Sequence, residues 1–231
     1  MDSTWSVRSP EDSGTGTGHT MAYASTTAGS DAVPRYCRSL VRAFLAGIAI
    51  SIGGCVYMAC DVKWGGAVLF SVGLLTVVAF GLDLYTGKVG YAVDNGPSYL
   101  LGLVVIIVGN FLGCLVAGLM MPYDAAASAV DAKLSVEWYR VIFKGIMCGI
   151  LMFIAVDFYK QRKSFLAIFF CVPVFILAGF EHSIADMFYF CSAGVFTLDA
   201  LVFILLVIVG NGIGGILVPL CRKYMYEPET V

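Results

Sequence analysis

Charge is scarce in this chain. Only 14 Lys or Arg and 16 Asp or Glu occur among 231 residues, and 59% of the side chains are hydrophobic. A soluble globular domain carries about a quarter of its residues as charged side chains, so this composition and a mean hydropathy of +0.87 count against a cytosolic enzyme. A basic excess is missing too. The net charge is -2 and the pI near 5.6, which leaves no electrostatic face for nucleic acid. Cysteine is present but lacks pattern: the eight residues sit mostly singly in apolar runs without CxxC or Cys/His spacing. They read as small buried hydrophobes rather than as disulfides or metal ligands, and no cofactor is expected. Histidine is nearly absent, with His19 and His182 the two examples.

The few charges are unevenly spread. Five lie in residues 1–34 and four after Cys221, so 186 residues from Arg35 to Leu220 share 21. Residues 1–34 are rich in Ser, Thr and Gly, without the apolar core of a cleaved signal peptide. A disordered cytoplasmic tail is expected there, a transmembrane domain over 35–223, and a short cytoplasmic tail over 224–231. Nearly charge-free stretches run from Leu40 to Cys60, Trp64 to Leu82, Gly96 to Pro122, Trp138 to Val156, Ser164 to Phe180 and Ala200 to Cys221. Each approaches the roughly 20 residues that an α-helix needs to cross hydrocarbon. An all-α membrane protein of six crossings follows, its partner the lipid bilayer. Arg35, Arg38, Arg42, Lys160, Arg162, Lys163, Arg222 and Lys223 fall on one side of that arrangement, and the positive-inside rule puts this side, with both termini, in the cytoplasm. The acidic 122–137 connection suits an external loop. Localisation in a cell membrane, plasma or bacterial inner, is the natural reading.

Two crossings do not stop cleanly. Asp83-Leu84-Tyr85-Thr86-Gly87-Lys88 follows one, and Glu181-His182-Ser183-Ile184-Ala185-Asp186 follows another. A shift of 98 relates Gly47 to Gly145, Asp83 to Glu181 and Lys88 to Asp186; a shift of 101 relates Val108-Gly109-Asn110 to Val209-Gly210-Asn211. Two halves of three crossings each are implied, and because three is odd they form an inverted repeat with broken second and fifth helices. Non-helical backbone at membrane depth is tolerated where protein buries it or where it lines a polar cavity. Helix N-termini after the breaks would attract a small anion.

Several side chains carry two readings. His182 suits proton exchange near neutrality, or is a structural histidine bonded to a neighbouring loop. Thr86 presents its hydroxyl to a substrate or to His182, or caps the short helix after it. Asp83 and Glu181 share a job such as accepting loop N–H bonds. Lys88 and Asp186, equivalent but opposite in sign, form an ion pair across the pseudo-axis, or Lys88 attracts anions. Lys144 snorkels to the interface or lines an outer vestibule. Asn110 and Asn211 hydrogen-bond the interrupted loops. Repeated glycines, Gly47, Gly102, Gly113 and Gly214 among them, are small-residue helix contacts.

Gly179-Phe180-Glu181-His182-Ser183-Ile184-Ala185-Asp186-Met187-Phe188 resembles the G-F-E-H-S-I/V-A-N-M-F signature of the formate/nitrite transporter family. Asp83-Leu84-Tyr85-Thr86-Gly87 resembles its E/D-L-F/Y-T-G loop, and the similarity covers residues 36–223. The resemblance implies a homopentamer of aquaporin-like protomers, each with its own pore for small monovalent anions and protons. It implies that His182 lies between two constrictions drawn from Phe70, Leu74, Leu84, Tyr85 and Phe175, with Thr86 its neighbour across the pore. Departures are visible. Lys88 and Asp186 replace two amides, Gly149 replaces a frequent Asn of the inner vestibule, and the compact T-G-K loop resembles the hydrosulfide-channel branch.

The expected function is a channel or transporter for formate, nitrite or hydrosulfide, with a proton exchanged at His182. The alternative is a passive, aquaporin-type channel for water or small neutral solutes, although no Asn-Pro-Ala triplet is present. An intramembrane enzyme using Asp83, Glu181 or His182 finds no HExxH or GxSxG support.

Overall fold

The computed structural model describes residues 35–226. Every regular element among them is helical: α1 (Arg35–Ala59), α2 (Lys63–Ala79), α3 (Tyr85–Lys88) continued by a 3-10 helix (Val89–Asp94), α4 (Pro97–Met120), α5 (Asp124–Leu134), α6 (Trp138–Arg162), α7 (Leu166–Leu177), α8 (Ser183–Ser192) and α9 (Leu198–Tyr226). The expected N-terminal tail lies outside the described residues, as do residues 227–231. α9 continues past residue 223, so the expected C-terminal tail begins inside a helix.

Helices α1, α4, α6 and α9 are long and apolar enough to cross a membrane. α2 has 17 residues and α7 has 12, or about 26 and about 18 Å at 1.5 Å per residue. Both end for the same reason. Gly81 and Gly179 adopt φ of +63° and +67°, a left-handed conformation that costs glycine nothing. Beyond each, an N–H folds back across the last turn: Leu82 donates to the Val77 carbonyl and Phe180 to the Phe175 carbonyl, both at 2.9 Å. The chain then runs extended through Leu84 and His182, the residues preceding α3 and α8.

The long helices pack in two pairs, α1 with α4 and α6 with α9. Glycine sets how close they come. A Cβ on Gly47 would lie 2.2 Å from the Asn110 carbonyl oxygen, and one on Gly214 would lie 2.0 Å from that of Ile146. Gly149 belongs to the same seam: its Cβ would fall 2.3 Å from the Asn211 carbonyl oxygen. That position is a backbone contact between α6 and α9, not a vestibule site stripped of an amide. Gly102 meets nothing within 4 Å and is no helix contact.

The acidic connection is not an irregular loop. It forms α5, favoured by its alanines and by Asp124 in the first turn and Lys133 in the last, which complement the helix dipole. Ala126 and Val130 anchor it at zero exposure. On the outside, α4 and α9 leave large apolar side chains uncovered; Leu101, Val104, Leu205 and Val209 are each more than half exposed. Apolar helices with an apolar exterior make this an integral membrane protein.

Candidate functional site

Two amides hold the interruptions in place. Asn110 Oδ1 accepts the Tyr85 N–H at 3.0 Å, while its Nδ2 donates to the carbonyls of Ala43 at 2.8 Å and Asp83 at 2.9 Å. Asn211 does the same work: Oδ1 accepts the Ser183 N–H, and Nδ2 donates to Gly145 and Glu181, all at 2.9 Å. Each amide thus satisfies one donor and one acceptor of an interrupted segment and ties it to a long helix. The loop N–H groups are therefore taken by the asparagines. The carboxylates expected to take them, Asp83 and Glu181, face cations instead.

The interruptions bring His182 and Thr86 together. His182 Nε2 and Thr86 Oγ1 are 3.0 Å apart, and both residues are buried. The other ring nitrogen, Nδ1, accepts the Ala185 N–H at 3.1 Å and caps α8. A nitrogen that accepts has no proton, so the neutral ring carries its hydrogen on Nε2 and donates it to Thr86. The threonine hydroxyl keeps its own hydrogen for another acceptor. Phe175 stacks on the imidazole with centroids 5.5 Å apart and meets Phe70 edge-on at 5.8 Å.

A cavity of about 250 Å³ reaches this ring, lined by His182, Phe175, Lys133, Lys144, Glu181 and Asp186 among others. A second, of about 80 Å³, is lined by Leu84, Gly87, Val156, Lys88 and Lys160 among others, and so reaches Gly87, the residue after Thr86, but not Thr86 itself. Of the expected constriction residues, Phe175 lines the first cavity and Leu84 the second. Phe70 and Leu74 are buried and line neither. Tyr85 points elsewhere: its hydroxyl donates to the Ile208 carbonyl at 2.9 Å and fastens α3 to α9.

The ion pairs differ from those the repeat suggests. Lys88 does not meet Asp186. Its Nζ lies 3.0 Å from Asp83 Oδ1, and Asp83 also receives Ser39 Oγ at 2.9 Å and Arg42 Nε at 3.1 Å. Asp186 instead pairs with Lys133, Nζ to Oδ1 at 2.9 Å. Lys133 also bonds Glu181 Oε2, and Lys144 approaches Glu181 Oε1 at 3.6 Å. Each interrupted segment finds its own cations: Lys88 and Arg42 for Asp83, and Lys133 of α5 with Lys144 of α6 for Glu181 and Asp186. Burial alone would lower the Lys133 pKa, but Asp186 and Glu181 outweigh it and hold the ammonium well above its ordinary value. Lys133 escaped the sequence reading because it lies on α5, in a connection read as an external loop far in sequence from Glu181 and Asp186. The one hint was a solitary cation amid Asp124, Asp131 and Glu137. Among the described residues no cluster of metal-ligating side chains occurs.

This geometry can be set beside known proteins. Residues 19–225 match the family model described as formate/nitrite transporter. The formate channel FocA of Haemophilus influenzae is 25% identical over 199 residues, spanning 72% of this chain and 70% of that one. The uncharacterized transporter YrhG of Bacillus subtilis is 30% identical over 217 residues, spanning 76% of this chain and 80% of the relative. Among solved structures, a pentameric formate channel with formate bound shares the fold, with a TM-score of 0.67 at 22% identity over 83% of this chain and 97% of that one. Such relatives are channels and transporters, not enzymes. With a match that takes in both interruptions and all the long helices, the chain belongs to the formate/nitrite transporter family.

Proposed function

We propose that the protein is a channel for small monovalent anions or their weak acids, of the formate, nitrite and hydrosulfide class, in which permeation is aided by proton exchange at His182. One observation carries the reading: a single buried imidazole hydrogen-bonded to Thr86, with one cavity at the ring and another lined by Gly87, the residue after the threonine. The physical need is plain. A bare anion entering an apolar constriction faces a desolvation cost that reaches tens of kcal/mol at low dielectric, and a proton removes most of it. The Nε2–H donates to Thr86, and the free threonine hydrogen turns toward the guest. Full proton transfer requires the ring to take a second proton at Nδ1. That displaces the Ala185 N–H and sacrifices a helix cap worth about 1 kcal/mol, a cost small enough for a transient state.

In this reading the chain crosses the bilayer six times as an inverted repeat broken after α2 and α7, with both termini cytoplasmic. The matched amide networks of Asn110 and Asn211 support it. The His182 cavity is then external, with Lys144 drawing anions to it, and the Lys160 cavity is cytoplasmic. The pentameric state of a protein with the same fold and the uncovered apolar faces of α4 and α9 support a homopentamer. A passive water channel is not favoured by the family match.

The test is flux of formate, nitrite and hydrosulfide into proteoliposomes at two external pH values. Uptake is expected to rise as external pH falls and to collapse in His182→Ala. Thr86→Val, which keeps the shape and removes the hydroxyl, is expected to slow flux while leaving the protein folded. Flux indifferent to pH and to His182→Ala removes the proposal.

A further inference from the structure

The proton that neutralises the guest needs a source other than the resting imidazole, because Nδ1 accepts the Ala185 N–H and the Nε2 hydrogen is committed to Thr86. The His182 cavity offers two carboxyl groups, and they are not equally provided for. Glu181 has Lys133 on one oxygen and Lys144 on the other. Asp186 has Lys133 on Oδ1, and its Oδ2 has no hydrogen-bond partner. The residue is 1% exposed and lines the cavity one turn into α8. An unpartnered carboxylate oxygen in such a place is costly unless it carries a hydrogen or meets a donor. Two carboxylates sharing one lysine cannot both stay ionised cheaply, and the less compensated one takes the proton.

We propose that Asp186 is the proton-donating group of the His182 cavity, its Oδ2 delivering a hydrogen to the incoming anion on the way to His182. The inference rests on the proton-assisted reading above and deepens it. The step balances. The Oδ2–H bond breaks, a bond from that hydrogen to the anion forms, and the guest moves on as the neutral acid. Asp186 is left as a carboxylate on Lys133 and regains its proton from a hydronium ion of the external solvent that reaches it through the cavity, leaving neutral water behind. Before the anion arrives, Lys133 and Lys144 face Glu181 and a neutral Asp186, so the cavity is one charge positive and attractive. After the transfer its four groups sum to zero.

Other groups face the same spot. Glu181 and His182 precede Asp186, Lys133 comes from α5, and Lys144 and Cys148 from α6. Tyr57 from α1 and Tyr189 from α8 line the same cavity, and from α4 the Cys114 thiol turns to the Ile184 carbonyl at 3.3 Å. None of them supplies Oδ2 with a hydrogen bond.

The experiment is infrared spectroscopy of the protein in proteoliposomes across a pH titration, paired with formate uptake. A protonated-carboxyl C=O band is expected near neutral pH in the parent protein and is expected to vanish in Asp186→Asn. Uptake by that isosteric variant is expected to fall at least about tenfold at pH 7, at the modest end of general-acid contributions, and to approach the parent as acidification protonates formate directly. A band unchanged by Asp186→Asn overturns the proposal, as does an unchanged pH profile of uptake. The two failures separate cleanly. Parent flux independent of pH removes the proton-assisted reading and Asp186's role with it; flux that depends equally on pH in parent and variant removes Asp186's role alone.

Discussion

Replacing Asn211 with Leu keeps the bulk of the side chain and deletes three hydrogen bonds at once. The Ser183 N–H loses its acceptor, and the Gly145 and Glu181 carbonyls lose their donor. Asn211 has zero exposure, so water does not reach these groups without rearrangement. Each stranded buried group costs about 1–3 kcal/mol, or about 3–9 kcal/mol for the three. Asn211→Asp discriminates further, because it keeps the acceptor for Ser183 and loses both donors, placing a carboxylate against two carbonyls. The equivalent change at Asn110 strands Tyr85 N–H and the carbonyls of Ala43 and Asp83, so the two variants should be destabilised to a similar degree. Thermal unfolding in detergent, followed by loss of the folded peak on size exclusion, measures this. A melting temperature within a degree or two of the parent for Asn211→Leu, or a large loss in one half alone, refutes the reasoning.

Two other perturbations follow. Gly214→Ala puts a methyl 2.0 Å from the Ile146 carbonyl oxygen and forces α6 and α9 apart, an overpacking cost of about 1–3 kcal/mol or more, whereas Gly102→Ala fills open space and is expected to leave thermal stability unchanged or slightly raised. Lys133→Ala leaves Asp186 without its cation and Glu181 with the more distant Lys144, a loss of about 3–5 kcal/mol by the usual cost of breaking a buried pair; pairing it with Asp186→Asn should restore part of the stability. Because the folded Lys133 pKa is raised, its contribution is fully present below the unfolded value of 10.5 and is lost only as pH climbs beyond it. Lys133 itself therefore adds no pH dependence between neutral and about pH 10, so any change in the Lys133-dependent part of the melting temperature within that window reports the ionisation of its partner Asp186.

The membrane character was readable because hydropathy is a local property, and the two segments from Asp83 and Glu181 because each puts ionisable residues directly after an apolar run. The runs were read to Leu82 and Phe180, whereas the helices stop at Ala79 and Leu177, each ahead of a glycine at positive φ. The roles of Asn110 and Asn211 were readable for a similar reason, since an amide deep in an apolar helix must find partners. Charge pairing was not. Lys88 lies five residues from Asp83, and Arg42 reaches the same carboxylate from α1, a choice set by how α1 packs against the interrupted segment. Lys133 meets Asp186 across 53 residues of sequence through a connection whose helical form repeats nothing in the first half. Gly149 misled because a substitution relative to a family pattern does not show which way the missing side chain would have pointed. The Tyr85 ring, assigned to the pore by motif, turned out to be committed to a carbonyl of α9.

The counter-charges of the two interrupted segments come from unlike sources. Asp83 is balanced from within by its own turn and the first long helix, whereas Asp186 depends on a lysine carried by a separate connecting helix, and Glu181 shares that lysine with Lys144 of α6. The first interrupted segment is thus tied to a long helix and the second in part to a short connecting one. Substitutions at Lys133 would disturb the second segment while leaving the first, whose cations are Lys88 and Arg42, as it was.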